Sequence, residues 1–160
     1  ACSDNSIELD LGGEGGPRCL RIASVDVEAN EALAERWHAF DLQHGLPRLH
    51  GDQVEAWTPQ QLSLDRLRAY SVKKGCYPGQ EIVARTHFLG QVKRGLALFR
   101  AAEPVAEGAS VDADGRAIGT VACVQGTLAL AVVALDAPTE GMSVDGIGMA
   151  RTPLLGGLAR

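Results

Sequence analysis

The chain has 160 residues, of which 46% are hydrophobic and 22% are charged, a composition typical of soluble globular proteins. Its net charge of −5 argues against general nucleic-acid affinity, including direct DNA binding, and no run approaches the roughly 20 apolar residues of a membrane span. No signal peptide is visible, so we expect a cytoplasmic protein. Because the first residue is Ala1, we expect either a trimmed start or part of a longer chain.

The first predicted elements are one strand and one helix. Residues 18–27 alternate well enough for a strand with one buried face, after a glycine-rich connection at 12–17. Asn30 is predicted to cap a helix that Gly45 and Pro47 end. The apolar positions of this helix recur with a period near 3.6: Leu33, Ala34, Trp37, Phe40 and Leu42. One strand and one helix form half of a ferredoxin-like unit, so we expect this region to need a partner.

A second helix is predicted after an irregular stretch. Residues 46–72 contain two prolines and, around 64–67, the pattern of a short helical turn. Pro78 suits the first turn of the following helix because its fixed φ is already helical and its missing N–H is not needed there. This helix is predicted to run toward Phe88 and to stop at Gly90.

After Lys93 the pattern changes to short strands separated by turns such as Asp114-Gly115 and Asp145-Gly146. The candidate strands are Leu96–Phe99, Ser110–Asp112, Ala117–Gln125, Leu128–Leu135 and Ser143–Ala150. Five or six short antiparallel strands in about 65 residues fit a small closed barrel better than an open sheet. The predicted fold class is α+β, with part of a ferredoxin-like unit in residues 1–92 and a small antiparallel β-barrel in residues 93–160.

Cysteines and histidines are too dispersed to predict a metal site. The four cysteines (Cys2, Cys19, Cys76 and Cys123) form no CxxC pair, so we expect free thiols in a reducing compartment and no tightly bound metal. Cys19 and Cys123 lie in apolar runs and are predicted to be inert core residues. The spacing of His38, His44 and His50 does not stack them on one helical face, and we interpret them as surface or loop residues.

Basic side chains concentrate in residues 66–94. Seven lie there against the single acid Glu81: Arg66, Arg68, Lys73, Lys74, Arg85, Lys93 and Arg94. This local positive charge predicts a surface that attracts an anion, with Lys73, Lys93 and Arg94 as candidate anion-binding residues. The alternative is solvated charge that pairs with the acidic flanks.

Cys76 is the candidate reactive residue. It lies just before the predicted helix, where exposed N–H groups favour an anion, and Lys73–Lys74 add positive charge. Gly75 and Gly79 allow a sharp turn and the close approach of another molecule. These features favour an accessible thiolate, whereas the alternative is a turn that happens to contain a cysteine. His87 is eleven residues downstream, and the sequence does not show whether it reaches the thiol.

The first helical turn offers two further polar side chains. Glu81 complements the helix dipole, and Gln80 can bond unpaired N–H groups or a ligand amide. Arg85 lies four residues after Glu81, so an intrahelical ion pair is a simpler explanation for both charges.

The string Lys74-Gly75-Cys76-Tyr77-x-Gly79-Gln80-Glu81, followed by Val83-Ala84-Arg85, Gly90 and Lys93-Arg94, resembles the signature of the YgfZ-type folate-binding proteins. These are relatives of the glycine-cleavage T-protein, an aminomethyltransferase. The flanking Gly45-x-Pro47, Pro59-Gln60 and Leu64-Asp65-x-Leu67 agree, and the resemblance covers roughly residues 30–150. It implies a ring of three domains around a folate site, with a small barrel last. It also implies that Cys76 is the functional cysteine and that Trp37 contacts folate.

The resemblance implies a tetrahydrofolate-dependent accessory protein for iron–sulfur cluster assembly or repair and for tRNA modification, with iron–sulfur proteins as clients. The basic segment would then hold the polyglutamate tail of a folate, or an acidic or RNA partner. Family members are longer, and their N-terminal half supplies much of the folate pocket, so that half or another chain would complete it. A folate-dependent aminomethyl or one-carbon transferase is the alternative, and a purely structural fragment is a third possibility.

Overall fold

The structure, a computed structural model, describes residues 6–24, 26–90 and 92–158. Two strands, β1 (Ile7–Asp10) and β2 (Cys19–Ile22), are followed by helix α1 (Glu31–Gln43), a 3₁₀ turn (Gly51–Gln53) and helix α2 (Gln80–Leu89). Six further strands complete the described chain: β3 (Arg94–Ala101), β4 (Ser110–Ala113), β5 (Arg116–Gln125), β6 (Leu128–Ala134), β7 (Met142–Val144) and β8 (Ile147–Thr152). The predicted α+β class is confirmed.

The six C-terminal strands form a closed antiparallel barrel in the order β3-β6-β5-β4-β7-β8, and β8 pairs back onto β3. This confirms the predicted barrel. The single strand expected at 143–150 is wrong, because Asp145 and Gly146 adopt left-handed backbone conformations with φ of 50° and 83°. Two such residues in succession make a tight hairpin turn, and it separates β7 from β8.

The barrel strands β3 and β6 are buried on both faces. Their inward side chains are mostly small and pack around Phe99, as expected in a narrow barrel. Their outward side chains (Leu96, Leu98, Leu128, Leu130 and Val132) pack with Leu42 of α1 and with Leu62. Helix α1 and the turn segment, residues 54–70, therefore cover this side of the barrel.

The N-terminal strands form a two-stranded antiparallel ribbon. Ile7 pairs with Ile22 and Leu9 with Leu20, which places these four apolar side chains on one face. All four are exposed, at 60%, 54%, 42% and 39% respectively. The predicted strand is present as the shorter β2, but its expected buried face is wrong, and so is the core assignment of Cys19, which is exposed. Val25, within the predicted strand, lies outside the described residues.

Helix α1 begins where the sequence predicts, because the Asn30 Oδ1 accepts a hydrogen bond from the Leu33 N–H at 2.9 Å. Near its C-terminal end the buried Asp41 carboxylate binds the guanidinium groups of Arg18 and Arg48. The backbone of Arg48 in turn brackets the Cys123 thiol of β5: its N–H donates to Sγ at 3.2 Å, and Sγ donates to its carbonyl at 3.0 Å. These contacts join the ribbon, α1 and the barrel.

The burial of His44 contradicts the expected surface or loop position. It is fully buried and stacks on Phe40 with 4.0 Å between ring centroids. Its Nε2 accepts from the Gly15 N–H at 3.2 Å, so Nδ1 carries the proton and donates to the Phe40 carbonyl at 2.8 Å. Burial is tolerated because both ring nitrogens have backbone partners. Gly15 is required there, since an added Cβ would lie 2.6 Å from the imidazole ring.

Helix α2 begins at Gln80, slightly later than predicted. Gly79 is its N-cap with a left-handed φ of 79°, so Pro78 precedes the cap and does not lie in the first turn. The helix ends at Gly90 as expected. Within the described residues, none of the helices has the length and apolar character needed to cross a membrane.

The close approach of β5 and β6 depends on Gly119. A Cβ added there would lie 2.4 Å from the carbonyl oxygen of Val132. Because backbone atoms would have to move, we expect Gly119→Ala to lower the free energy of unfolding by about 1–3 kcal/mol, measured by urea denaturation. Gly148→Ala in β8 is the matched control, since a Cβ there meets no atom within 4 Å. Equal stability of the two variants would contradict the strand packing described.

Candidate functional site

Cys76 lies on an exposed loop, residues 71–79, which we call the signature loop because it precedes α2 and carries most of the recognised string. The thiol is free, and the three residues before it, Lys73 to Gly75, are exposed as well. One of the two conditions for a reactive cysteine, access from solvent, is therefore met.

Hydrogen bonds from Tyr77 and Gln80 hold the signature loop, and the Lys73 N–H donates to the Ser71 Oγ at 3.2 Å within it. The Tyr77 hydroxyl donates to the Ser71 carbonyl at 3.1 Å, and the Gln80 Nε2 donates to the Lys74 carbonyl at 3.2 Å. The Gln80 N–H also donates to the Tyr77 carbonyl at 3.1 Å. The Lys74 ammonium lies 5.1 Å from the centroid of the Tyr77 ring, within the range of a cation–π contact. Tyr77 and Gln80 thus fix the backbone on either side of Cys76.

Glu81 and Arg85 are both exposed on α2. The intrahelical ion pair considered from the sequence does not form: in the part of the chain that the structure describes, no salt bridge joins these two side chains. Both charges therefore face solvent near the signature loop.

The basic residues divide between two cavities. A cavity of about 750 Å³, here called the basic cavity, lies between the signature loop, the end of α2 and the start of β3, and both Lys73 and Arg94 line it. Lys93 instead lines a smaller cavity of about 290 Å³, which shares Arg94. Gln60 and Arg68 also line the basic cavity, and neither is among the anion-binding residues predicted from the sequence. The Pro59-Gln60 pair, one of the flanking matches to the family signature, is the sequence feature that points to Gln60.

Trp37 lines a separate cavity of about 420 Å³ between the ribbon and α1, here called the Trp37 cavity. The Arg18 guanidinium lies over its ring, 4.2 Å from the centroid, and also over the Phe40 ring at 4.1 Å. Cys76 lines neither this cavity nor the other two. His87 lines the basic cavity.

Cys123 differs from Cys76 in its exposure to solvent, because it is buried in the barrel wall. It is 2% exposed, and burial raises the pKa of its thiol to about 11, a shift that the hydrogen bond from the Arg48 backbone only partly opposes. The prediction that it is an inert core residue is confirmed. Among the described residues, no three His, Cys, Asp or Glu side chains group closely enough to hold a metal ion.

These environments predict a clear order of alkylation. In a Cys2→Ser background at pH 8, iodoacetamide should modify Cys76 and Cys19 at least about 100 times faster than Cys123, because a raised pKa keeps the buried thiol protonated. The Cys123 rate should rise about tenfold per pH unit up to about pH 11. Peptide mapping by mass spectrometry measures each rate. Equal modification of Cys76 and Cys123 at pH 8 would contradict the structure.

Comparison with known proteins agrees with this architecture. Residues 92–153 match the family model described as the CAF17 C-terminal beta-barrel domain, a range that contains all six barrel strands. Over 131 residues the chain is 30% identical to the tRNA-modifying protein YgfZ of Edwardsiella ictaluri (strain 93-146). The alignment covers 75% of this chain and 40% of that protein, so the chain spans less than half of the relative's length. The chain belongs to the YgfZ-type family and carries that family's C-terminal β-barrel at residues 92–153.

Proposed function

We propose that the protein is a cytoplasmic, folate-binding accessory factor that supports iron–sulfur cluster assembly or repair and tRNA modification, with Cys76 as its reactive group. The observation that carries the proposal is the exposed Cys76 thiol on a loop whose backbone before the thiol, at Ser71 and Lys74, is held by the side chains of Tyr77 and Gln80. The similarity to a tRNA-modifying protein supports the proposed role in tRNA modification.

A single exposed thiol suits transient contact with an iron–sulfur cluster and not permanent binding of one. Iron–sulfur clusters are normally held by four protein ligands, so one cysteine can supply one thiolate to a cluster that a client protein largely holds. Deprotonation of the thiol comes first, because the thiolate is both the metal ligand and the nucleophile. The exposed lysines Lys73 and Lys74 place positive charge beside that anion. The cluster in this scheme is a substrate and not a resident cofactor.

We propose that tetrahydrofolate binds at the Trp37 cavity. Its walls include the Trp37 ring, one face of which Arg18 covers, and the exposed cation Arg36, and these groups suit a flat heteroaromatic ring that carries carboxylates. The cavity of about 420 Å³ is open and lies at the lower end of the usual size of ligand sites. Another polypeptide would therefore have to cover the rest of the folate.

The exposed apolar face of the ribbon supports the need for that polypeptide. An isolated two-stranded ribbon is marginally stable in water, and its four apolar side chains are here 39–60% exposed. We propose that the ribbon and α1 form part of a ferredoxin-like unit that the N-terminal half of a YgfZ-type protein, or another chain, completes. This partner would cover the ribbon and close the Trp37 cavity together.

An aminomethyl or one-carbon transferase is the rival function. Such an enzyme depends on folate and on carboxylate or arginine groups at the one-carbon unit, and it does not require a cysteine on the signature loop. Two arginines line the Trp37 cavity, and among its described lining residues there is no Asp or Glu, so the lining agrees with either function. The exposed Cys76 on the signature loop favours the accessory function.

Replacing Cys76 separates the two functions. Cells that carry Cys76→Ser in place of the native sequence should lose the dependent tRNA modification by more than about tenfold, because a hydroxyl is a poor substitute for a thiolate. Mass spectrometry of tRNA nucleosides measures it. Cys19→Ser, at the other exposed thiol that the structure describes, is the matched control and should leave the modification intact. Full modification in the Cys76→Ser cells would remove the thiol mechanism and favour the transferase.

Replacing Trp37 tests the folate site. A reduced folate monoglutamate should bind the complex of this chain with the part of a YgfZ-type relative that the chain does not match. Trp37→Leu should weaken this binding about tenfold by calorimetry, because loss of an aromatic stacking surface costs roughly 1–3 kcal/mol.

Trp57→Leu is the control for this titration, since Trp57 packs against the outer side of the barrel and not in the Trp37 cavity. Its folate affinity should equal that of the native complex. If the complex forms but binds no folate, the folate function is wrong, and the structural role considered from the sequence would account better for this chain.

A further inference from the structure

The glycine-rich connection between β1 and β2 packs against the buried imidazole of His44. We call residues 12–16 of this connection the hairpin tip. A Cβ added at Gly13 would lie 2.7 Å from His44 Nε2, and one added at Gly15 would lie 2.6 Å from Cε1 of the same ring. Both positions therefore require glycine, because any side chain would keep the backbone away from the imidazole. The glycines of the tip are thus matched to one side chain of α1.

A segment beyond the barrel also holds the hairpin tip. We call residues 153–158, which follow β8, the post-barrel segment. The Glu14 N–H donates to the Gly156 carbonyl at 3.1 Å, and the Glu14 Oε2 accepts from the Gly156 N–H at 2.7 Å. The Leu155 N–H donates to the Gln43 carbonyl, at the end of α1, at 2.9 Å. The tip is thereby tied to the post-barrel segment and through it to the end of α1.

The hairpin tip forms part of the wall of the Trp37 cavity, because Gly15 is among the lining residues. The Gly15 N–H donates to His44 Nε2 at 3.2 Å. Four of the five residues of the tip are glycines, whose backbone is free to adopt many conformations. Such a segment needs fixed contacts to keep one shape. The position of this wall therefore depends on the acceptor that the imidazole provides.

The imidazole provides that acceptor only while it is neutral. Nδ1 already carries a proton, which it donates to the Phe40 carbonyl. A second proton would go to Nε2 and would set two donors, the Nε2–H and the Gly15 N–H, against each other. Histidine is the side chain whose charge ordinarily changes within roughly pH 5 to 8. Mild acid should therefore break this contact of the wall while most carboxylates keep their charge.

Charged groups of both signs surround the imidazole. They are Glu14 of the tip, Arg66 of the turn segment, and Asp41 of α1 with its partners Arg18 and Arg48. Arg66 donates to the His44 carbonyl and not to the ring. The post-barrel segment contributes no charged residue within 153–158. The expected direction of the pH effect therefore rests on the hydrogen-bond geometry at Nε2 and not on an excess of one charge.

We propose that His44 is a positioning residue of the Trp37 cavity: its neutral imidazole holds the hairpin tip in place as a wall, and its protonation releases that wall. His44 is not among the described lining residues, so it acts through Gly15 and does not touch a ligand. The effect on ligand affinity rests on the proposed folate function, whereas the effect on the tip does not.

Amide hydrogen exchange of this chain tests the contact without a ligand. The protection factor of the Gly15 N–H, corrected for the intrinsic pH dependence of exchange, should be at least about fivefold higher at pH 7.5 than at pH 5.5. The Leu11 N–H is the control, since its acceptor, the Arg18 carbonyl at 2.7 Å, does not titrate. In His44→Phe, which keeps a ring against Phe40 but has no acceptor, Gly15 should be weakly protected at both pH values. Equal protection of Gly15 at both pH values in the native chain would overturn the proposal.

Folate affinity tests the positioning role. Calorimetry uses a reduced folate monoglutamate and the complex of this chain with the part of a YgfZ-type relative that the chain does not match. His44→Gln offers an amide oxygen to Gly15 and does not titrate. Its affinity should match the native value at pH 7.5 and exceed it at least about threefold at pH 5.5. Titration of the folate itself cancels, because both proteins bind the same ligand. His38→Gln, at a histidine of α1 that does not line the cavity, should keep the native pH response.

The possible outcomes separate the clamp from the folate function. The native loss of affinity at pH 5.5, if it persists in His44→Gln, would contradict the positioning role and leave the folate function standing. Absence of folate binding at either pH would show that the folate function is wrong, and the exchange of Gly15 would still decide whether His44 holds the tip. If His44→Phe fails to fold, the pH response of Gly15 in the native chain decides the same point.

Discussion

The buried carboxylate of Asp41 joins parts of the molecule that are far apart in sequence. Arg18 reaches it from the ribbon side, and Arg48 reaches it from the chain that follows α1. Asp41 and Arg18 are 7% and 10% exposed, so each depends on the other to balance a charge removed from water. Through the backbone of Arg48 the same group is tied to Cys123 in the barrel wall. The position of the Trp37 cavity follows from this network, because Arg18 also covers the Trp37 ring.

The barrel positions the signature loop and the basic cavity through the turn segment that packs on it. The turn segment packs on its outer face through Leu62, and the Ser63 Oγ in that segment accepts the Leu96 N–H of β3 at 3.1 Å. Gln60, three residues earlier, bonds the Val83 carbonyl and thereby holds α2. This series of contacts, from the barrel through the turn segment to α2, positions both the signature loop and the basic cavity. A change in the barrel wall would therefore reach Cys76 through backbone position and not through direct contact.

The sequence predicts best what depends on local pattern. The Asp145-Gly146 and Asp114-Gly115 turns, the Asn30 cap and the alternation in β5 and β6 are each encoded within a few residues, and the barrel follows from them. The burial of His44 and that of the Gln60 amide depend on segments 29 and 23 residues away, which no local pattern specifies. The sequence does not predict strand β1 and places Cys19 in a core, because the apolar face of the ribbon has no covering element within the described chain.

Closure of the barrel has a consequence for how the molecule associates. Each of its six strands has neighbours on both sides, so it offers no open edge onto which a foreign strand could add. The ribbon is different: within residues 6–24, 26–90 and 92–158, β1 and β2 each pair with one strand alone and therefore keep one open edge. Left uncovered, this ribbon combines an open edge with an apolar face, the two features that promote strand addition between copies. Resistance to aggregation thus depends on what covers the ribbon, because the closed barrel has no open strand edge.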